Sequence, residues 1–142
     1  MRITDVLRRK GDLVVTIAPD DSVRTLLDAL ARHRVGALVV SRGDGSVDGI
    51  VSERDVVRRL QMLGADVLDL PVSSIMTTAV HTCSPDDSIA DLMLLMTERR
   101  VRHVPVVVDG RLRGIVSIGD VVKNRIEELQ SERDHLTAYI TG

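Results

Sequence analysis

The phrase Gly49-Ile50-Val51-Ser52-Glu53-Arg54-Asp55-Val56-Val57 returns as Gly114-Ile115-Val116-Ser117-Ile118-Gly119-Asp120-Val121-Val122. A chain that spells its most distinctive segment twice is constrained to build the same local structure twice. In each copy a β-branched apolar run stops at a serine, and an apolar segment with helical spacing follows at once. The pattern predicts a strand that turns directly into a helix. Serine is then the helix N-cap, and the aspartate three residues on falls in the first turn, where a carboxylate suits the positive end of the helix dipole and completes a capping box. The same atoms have a second use: the corner presents free backbone N–H groups, a hydroxyl and a carboxylate, a set able to hold ribose hydroxyls beside phosphates.

The repetition extends well beyond the phrase. Pro19 and Pro85 are 66 residues apart, and that spacing carries Asp20, Asp21, Ser22 and Val23 onto Asp86, Asp87, Ser88 and Ile89, Leu26 onto Leu92, Leu30 onto Met96, and Arg34 and Val35 onto Arg100 and Val101. From Gly49 and Gly114 onward the spacing is 65, so the turn at Asp109-Gly110 is one residue shorter than its counterpart at Arg42-Gly43-Asp44-Gly45. Upstream, Val72-Ser73-Ser74-Ile75-Met76 echoes Ile3-Thr4-Asp5-Val6-Leu7. In the first copy a strand is expected at Val14 to Ile17, a Ser22-capped helix through Val23, Leu26, Leu27 and Leu30, a strand at Gly36 to Val40, its return at Val47 to Ser52, and a helix carrying Val56, Val57 and Leu60. The unit is β-α-β-β-α. The expected division is residues 1–64 as repeat 1 with an N-terminal segment, 65–71 as linker, and 72–142 as repeat 2 with an extended C-terminal helix. Units of this size cannot bury their apolar faces alone, so the two are expected to pack about a pseudo-twofold axis in an α/β (α+β) fold.

Composition removes several function classes. A net charge of −2 offers no bulk attraction to nucleic acid or to an anionic membrane, and with Tyr139 as the only aromatic residue there is no base-stacking platform. The core must be aliphatic. No segment approaches the roughly 20 apolar residues of a membrane span, and the charged start at Met1 to Lys10 has no apolar stretch after it, so a cytoplasmic protein is expected. The single cysteine, Cys83, agrees with a reducing compartment. Enzyme signatures are missing: there is no glycine-rich phosphate loop with a lysine, no HExxH, no GxSxG, and no evident base for Cys83. His81-x-Cys83 puts two metal-ligand types on one face of an expected strand, yet no further Cys or His cluster completes a site, so no metal is expected. Met93 and Met96 fall on the apolar stripe of Ile89 and Leu92, where packing explains them.

The last helix runs past the repeat. Val122, Ile126, Leu129, Leu136 and Ile140 keep helical spacing, interrupted at Arg133, which predicts roughly five turns beyond what one unit needs. Such a stripe calls for a cover, and a second subunit is the expected one.

The duplicated unit, the repeated Gly-Ile-Val-Ser-x-x-Asp phrase and Val104-Pro105-Val106 resemble a pair of CBS domains, the regulatory nucleotide-binding arrangement called a Bateman module. More narrowly, Lys10-Gly11, Ser52-Glu53-Arg54-Asp55, Met76-Thr77, Arg102-His103 and Tyr139-Ile140 are similar to small stand-alone bacterial CBS-pair proteins with no attached enzyme or channel. The resemblance implies clefts between the repeats for adenosine-containing ligands (AMP foremost, ATP or NAD(H) next), a homodimer built through helices, an unknown regulated protein, and no catalysis. It implies that Asp55 and Asp120 hold the ribose diol of one cleft each, with Ser52 and Ser117 beside them. Arg54, Arg102 and His103 would serve the phosphate in the Asp55 cleft, framed by Thr77, Val80 and the backbone of Val104 and Pro105. Gly119, Gly36, Ala37, Lys10, Val14 and Leu38 would be the counterparts in the Asp120 cleft. A cleft with basic phosphate readers and one without them should differ in affinity for a charged nucleotide. The alternative is a structural or partner-binding dimer with vestigial clefts, in which Ser52 and Ser117 are helix caps alone.

Overall fold

The protein was analysed as a computed structural model that describes residues 1–11 and 14–141. The first repeat contains α1 (Ile3–Lys10), β1 (Thr16–Ile17), α2 (Val23–His33), β2 (Ala37–Val40), β3 (Gly49–Ser52) and α3 (Glu53–Leu63). Two short 3-10 turns, Gly64–Asp69 and Val72–Ser74, lead to α4 (Ile89–Arg99), β4 (His103–Val108), β5 (Arg111–Ser117) and α5 (Ile118–Thr141). In the first sheet β1 pairs parallel with β2, and β2 antiparallel with β3. The second sheet is the β4–β5 hairpin, with a register shift between Val106 and Val107.

Local chemistry explains the helix starts. Ser22 Oγ accepts from the Thr25 N–H and Ser88 Oγ from the Asp91 N–H, both at 3.1 Å, so the two proline-led turns end in the same cap. Each of these helices also ends alike, on an arginine in the left-handed region, Arg34 and Arg100, both at φ 54°. A side chain there costs about 1–2 kcal/mol, so its presence at both matched positions reflects the duplication of the backbone itself.

The core is aliphatic, as composition requires, and it is divided in two. One cluster gathers Val23, Leu26, Leu30, Leu38, Val40, Val51 and Val56 of the first repeat with Val67, Val72 and Ile75, which lie beyond it in the chain. The other gathers Ile89, Leu92, Met96, Val104, Val106, Val116 and Val121 of the second repeat with Ile3 and Val6 of α1. The packing is therefore crossed. Backbone bonds seal it in matched fashion: Ile3 N donates to Asp87 O at 3.0 Å, and Val72 N donates to Asp21 O at 2.8 Å. Each repeat completes its core with the segment that precedes the other.

Three expectations change in detail. The first strand is only Thr16–Ile17, starting two residues later than Val14. Its counterpart in the second repeat shrinks to a single bridge, Cys83 to Val106, although the turn that follows is the same in both: Ala18 N donates to Asp21 Oδ2 at 3.1 Å and Ser84 N to Asp87 Oδ2 at 2.8 Å. His81 is exposed while Cys83 is buried, so the two do not share a strand face. The final helix has 24 residues against 11 in α3, an excess of between three and four turns rather than five.

Candidate functional site

At the first strand-to-helix corner, Ser52 Oγ accepts from Asp55 N at 3.3 Å, while Asp55 Oδ2 accepts from Ser52 N at 2.8 Å and from the Ser52 hydroxyl at 3.0 Å. This is the expected capping box. The cap uses one carboxylate oxygen; among the described residues Asp55 Oδ1 accepts no hydrogen bond, and Asp55 lines a cleft of about 310 Å³.

The cleft is lined by residues of both repeats: Ser52, Arg54, Asp55 and Arg58 from the corner and α3, Thr77 and Val80 from the segment after the linker, and Arg100, Arg102 and His103 from the α4–β4 connection. Thr77 is placed by a two-way backbone bridge to Ile50, with N to O distances of 2.9 and 2.8 Å. Four arginines, Arg54, Arg58, Arg100 and Arg102, face two carboxylates, Glu53 and Asp55. None of the four arginines is in a salt bridge among the described residues. His103 is held below the usual histidine range, first by burial and then by the Lys10 charge, with Asp120 and Glu53 pulling the other way and Arg102 adding to the depression.

Seven of the expected residues thus meet at one place: Ser52, Arg54, Asp55, Thr77, Val80, Arg102 and His103. Arg58 and Arg100 were missed. Arg58 follows Arg54 by one helical turn and so shares its face; Arg100 is the match of Arg34, the C-cap of α4 in the left-handed region, and it lines the cleft.

Other expected residues lie elsewhere. Gly36 and Ala37, expected at the Asp120 corner, line the Asp55 cleft. The reason is the sheet register: Ala37 pairs with Ser52, Glu53 N donates to Gly36 O at 3.0 Å, and a Cβ built on Gly36 would stand 3.2 Å from Glu53 Oε1 and 3.7 Å from His103 Cε1. The starts of β2 and β4 therefore meet between the repeats. Val104 and Pro105 do not frame this cleft. Val104 is fully buried in the second core, and the Pro105 carbonyl already accepts from Cys83 N at 3.0 Å. Leu38 is likewise a core residue of the first repeat, and Val14 is half-buried outside any strand.

The second corner repeats the cap: Asp120 Oδ2 accepts from Ser117 N at 2.9 Å and Ser117 Oγ from Asp120 N at 3.2 Å. Here, though, Lys10 Nζ donates to Asp120 Oδ2 and to the Ile115 carbonyl, both at 2.8 Å. Burial pushes the Asp120 carboxyl up, but the Lys10 hydrogen bond, the Ser117 N–H and the Lys10 charge together outweigh it and hold the group below the usual range. Gly119 stands beside the cap, where a Cβ would be 3.7 Å from Ser117 Oγ, and it lines a shallow groove of about 760 Å³ along α5 with Ile118, Val122 and Ile126. Cys83 is not a nucleophile at neutral pH, since burial, helped by Asp87, raises its thiol pKa to about 12.

The family model for the CBS domain matches residues 4–62 and again residues 72–127. The chain belongs to the CBS-domain family. Among curated proteins it is 36% identical to the mitochondrial CBS domain-containing protein CBSX3 of Arabidopsis thaliana over 99% of this chain and 72% of that one. Among solved structures, the CBS-domain protein ATU1752 of Agrobacterium tumefaciens is 46% identical with a TM-score of 0.85, covering 88% of this chain and 99% of that one. The CBS domain pair of protein MJ0100, solved with 5-methylthioadenosine and S-adenosyl-L-methionine, shares the fold at 22% identity and a TM-score of 0.80, over 90% of this chain and 98% of that one. A CBS pair is a regulatory module, and the repeats predicted from the doubled phrase are the two CBS domains. No helix among the described residues is long and apolar enough to cross a membrane.

Proposed function

We propose that this CBS pair is a sensor of an adenosine-containing ligand, with AMP the best fit and ATP or NAD(H) next, bound in the Asp55 cleft and without catalysis of its own. The observation that carries the reading is the pairing of one unsatisfied carboxylate oxygen with four arginines around a cleft of about 310 Å³. That size stands at the lower end of the roughly 300–1,000 Å³ usual for small-molecule sites. A ribose diol donates to Asp55 Oδ1, and the arginines receive a phosphate through charge-assisted hydrogen bonds. Protein MJ0100, of the same fold, is solved with two ligands that both contain adenosine, which supports the ligand class.

The same proposal includes a homodimer in a reducing, cytoplasmic setting. Its support is the exposed row Ile118, Val122, Ile126 and Leu129 on α5, each between 41 and 50% exposed, a contiguous apolar face that a second copy would cover.

Calorimetric titration of AMP into the intact protein and Asp55→Ala tests the placement. Loss of a charged hydrogen-bond partner weakens binding by ~1.5–3 kcal/mol, about tenfold to more than a hundredfold. Unchanged affinity in the variant would place the ribose elsewhere.

A further inference from the structure

The two corners have the same backbone but differ in what sits on the aspartate. In the first cleft, Ile50 and Asp55 are both lining residues, and the Ile50 carbonyl is bonded by the Thr77 N–H at 2.8 Å. Their matches in the second repeat are Ile115 and Asp120, and Lys10 Nζ bridges these two groups at 2.8 Å each. The lysine ammonium therefore stands between the strand carbonyl and the cap oxygen of the carboxylate, Asp120 Oδ2. In the echo of residues 3–7 by residues 72–76, the position matched to Lys10 is Ala79, which carries no charge and lines the first cleft.

Lys10 is delivered there by a rigid element. It is the last residue of α1, whose Ile3 and Val6 are buried in the second core. Arg9, next to it, bonds Asn124 Oδ1 at 3.1 Å and pairs with Glu127, and the Met1 ammonium reaches Glu128 at 3.4 Å. The contacts of Arg9 and Lys10 thus run along α5 through Asp120, Asn124 and Glu127, one helical turn apart. Asn124 is almost fully buried. A lysine anchored in this way gives up little further freedom in reaching Asp120, which favours the contact over that of a free surface lysine.

We propose that Lys10 is an internal occupant of the second cleft, holding Asp120 against a ribose and making this CBS pair a one-site sensor. The inference rests on the reading of these corners as adenosine sites. An uncharged nucleoside that donates to Asp120 competes with an ammonium ion already paired to that carboxylate, and it offers the ammonium no anion in exchange. This reverses the role expected of Lys10 as a cation that attracts ligand to the Asp120 side. The two roles predict opposite effects of removing the charge.

The test isolates the second cleft by substituting Asp55 and then replaces Lys10 with methionine, an unbranched side chain without charge. Adenosine is titrated calorimetrically into Asp55→Asn and into Asp55→Asn combined with Lys10→Met, with thermal melts to confirm folding. Asp55→Asn keeps a cap acceptor, and Asp55→Ala serves as its duplicate should the asparagine retain ribose binding. The expected result is at least a tenfold gain in adenosine affinity on Lys10→Met, to one site per chain, and loss of that gain when Asp120→Ala is added. Equal or weaker binding in the Lys10→Met protein overturns the proposal, since Lys10 then either plays no part or helps to hold ligand. The unsubstituted protein, titrated alongside, separates the two levels: if it binds adenosine at one site while Lys10→Met opens no second one, only the role of Lys10 falls. If neither binds, the adenosine reading falls with it.

Discussion

Gly49 and Gly114 occupy matched positions at the start of the doubled phrase, yet an added methyl would meet different obstacles at each. At Gly49 a Cβ would stand 2.8 Å from the Thr77 carbonyl oxygen and 2.8 Å from Met76 Sδ. The carbonyl belongs to the backbone bridge between Thr77 and Ile50 that forms the cleft wall, so it cannot move without straining both of its hydrogen bonds. At Gly114 the obstacle is Leu7 Cδ2, at 2.7 Å, the far end of a half-buried side chain that can change rotamer. Overpacking against fixed backbone costs about 1–3 kcal/mol, and weakening the two bridge bonds adds about 1 kcal/mol. Replacing glycine by alanine at a compatible φ returns about 0.4–1 kcal/mol through the unfolded chain. Gly49→Ala is expected to destabilise by about 2–3 kcal/mol, and Gly114→Ala to stay within about 1 kcal/mol of the parent. At about 3–4 °C per kcal/mol for a chain of this size, the Gly49 variant melts roughly 6–12 °C lower. Urea unfolding followed by circular dichroism reads the difference directly, provided the slopes agree. Equal losses at the two glycines would refute the claim that backbone rigidity at Thr77 sets the cost.

Three further outcomes follow from the structure. His103 has its pKa lowered chiefly by burial and next by Lys10, against the pull of Asp120 and Glu53; the unfolded state thus takes up this proton more readily, and its share of stability, complete above about pH 6.5, declines as pH falls through the folded value. A phosphate beside His103 favours the cation, so AMP affinity should rise over the same acid range, and titrations between pH 5.5 and 8 should lose that slope in His103→Gln; identical slopes would remove His103 from the phosphate site. On α5, Ile126 is 50% exposed, so Ile126→Glu should leave the melting of a monomer within about 0.5 kcal/mol but dissociate the dimer in light scattering, and a variant that remains dimeric would move the interface elsewhere.

The doubled phrase made the architecture legible because it carries turn chemistry as well as hydrophobic pattern. Ser52 and Asp55 are a capping box in sequence and in space, and so are Ser117 and Asp120. The spacing of 66 likewise found the paired Ser22 and Ser88 caps. What sequence spacing could not supply was the partner across the chain. Lys10 is 110 residues from Asp120, and nothing in a linear pattern says that α1 docks on the second repeat rather than the first. Gly36 and Ala37 were expected at the Asp120 corner because positions were matched by symmetry, whereas the sheet register sets Gly36 between Glu53 of the first repeat and His103 of the second. Pro105 failed for a simpler reason: its carbonyl was free in the pattern and occupied in the sheet.

The crossed cores also govern how the protein is born. The apolar residues Ile3 and Val6 emerge from the ribosome roughly a hundred residues ahead of Val104, Val106, Val116 and Val121, the side chains that will cover them, a delay on the order of ten seconds at ordinary rates of synthesis. A helix of eight residues has little stability of its own in the interval. The first repeat, by contrast, is complete as soon as Val67, Val72 and Ile75 have been made. Seating α1 is therefore a late event of folding, and the contact of Lys10 with Asp120 comes with it. The Asp55 corner matures first on its own half, and the other corner stays open until the chain's opening segment has returned to find it.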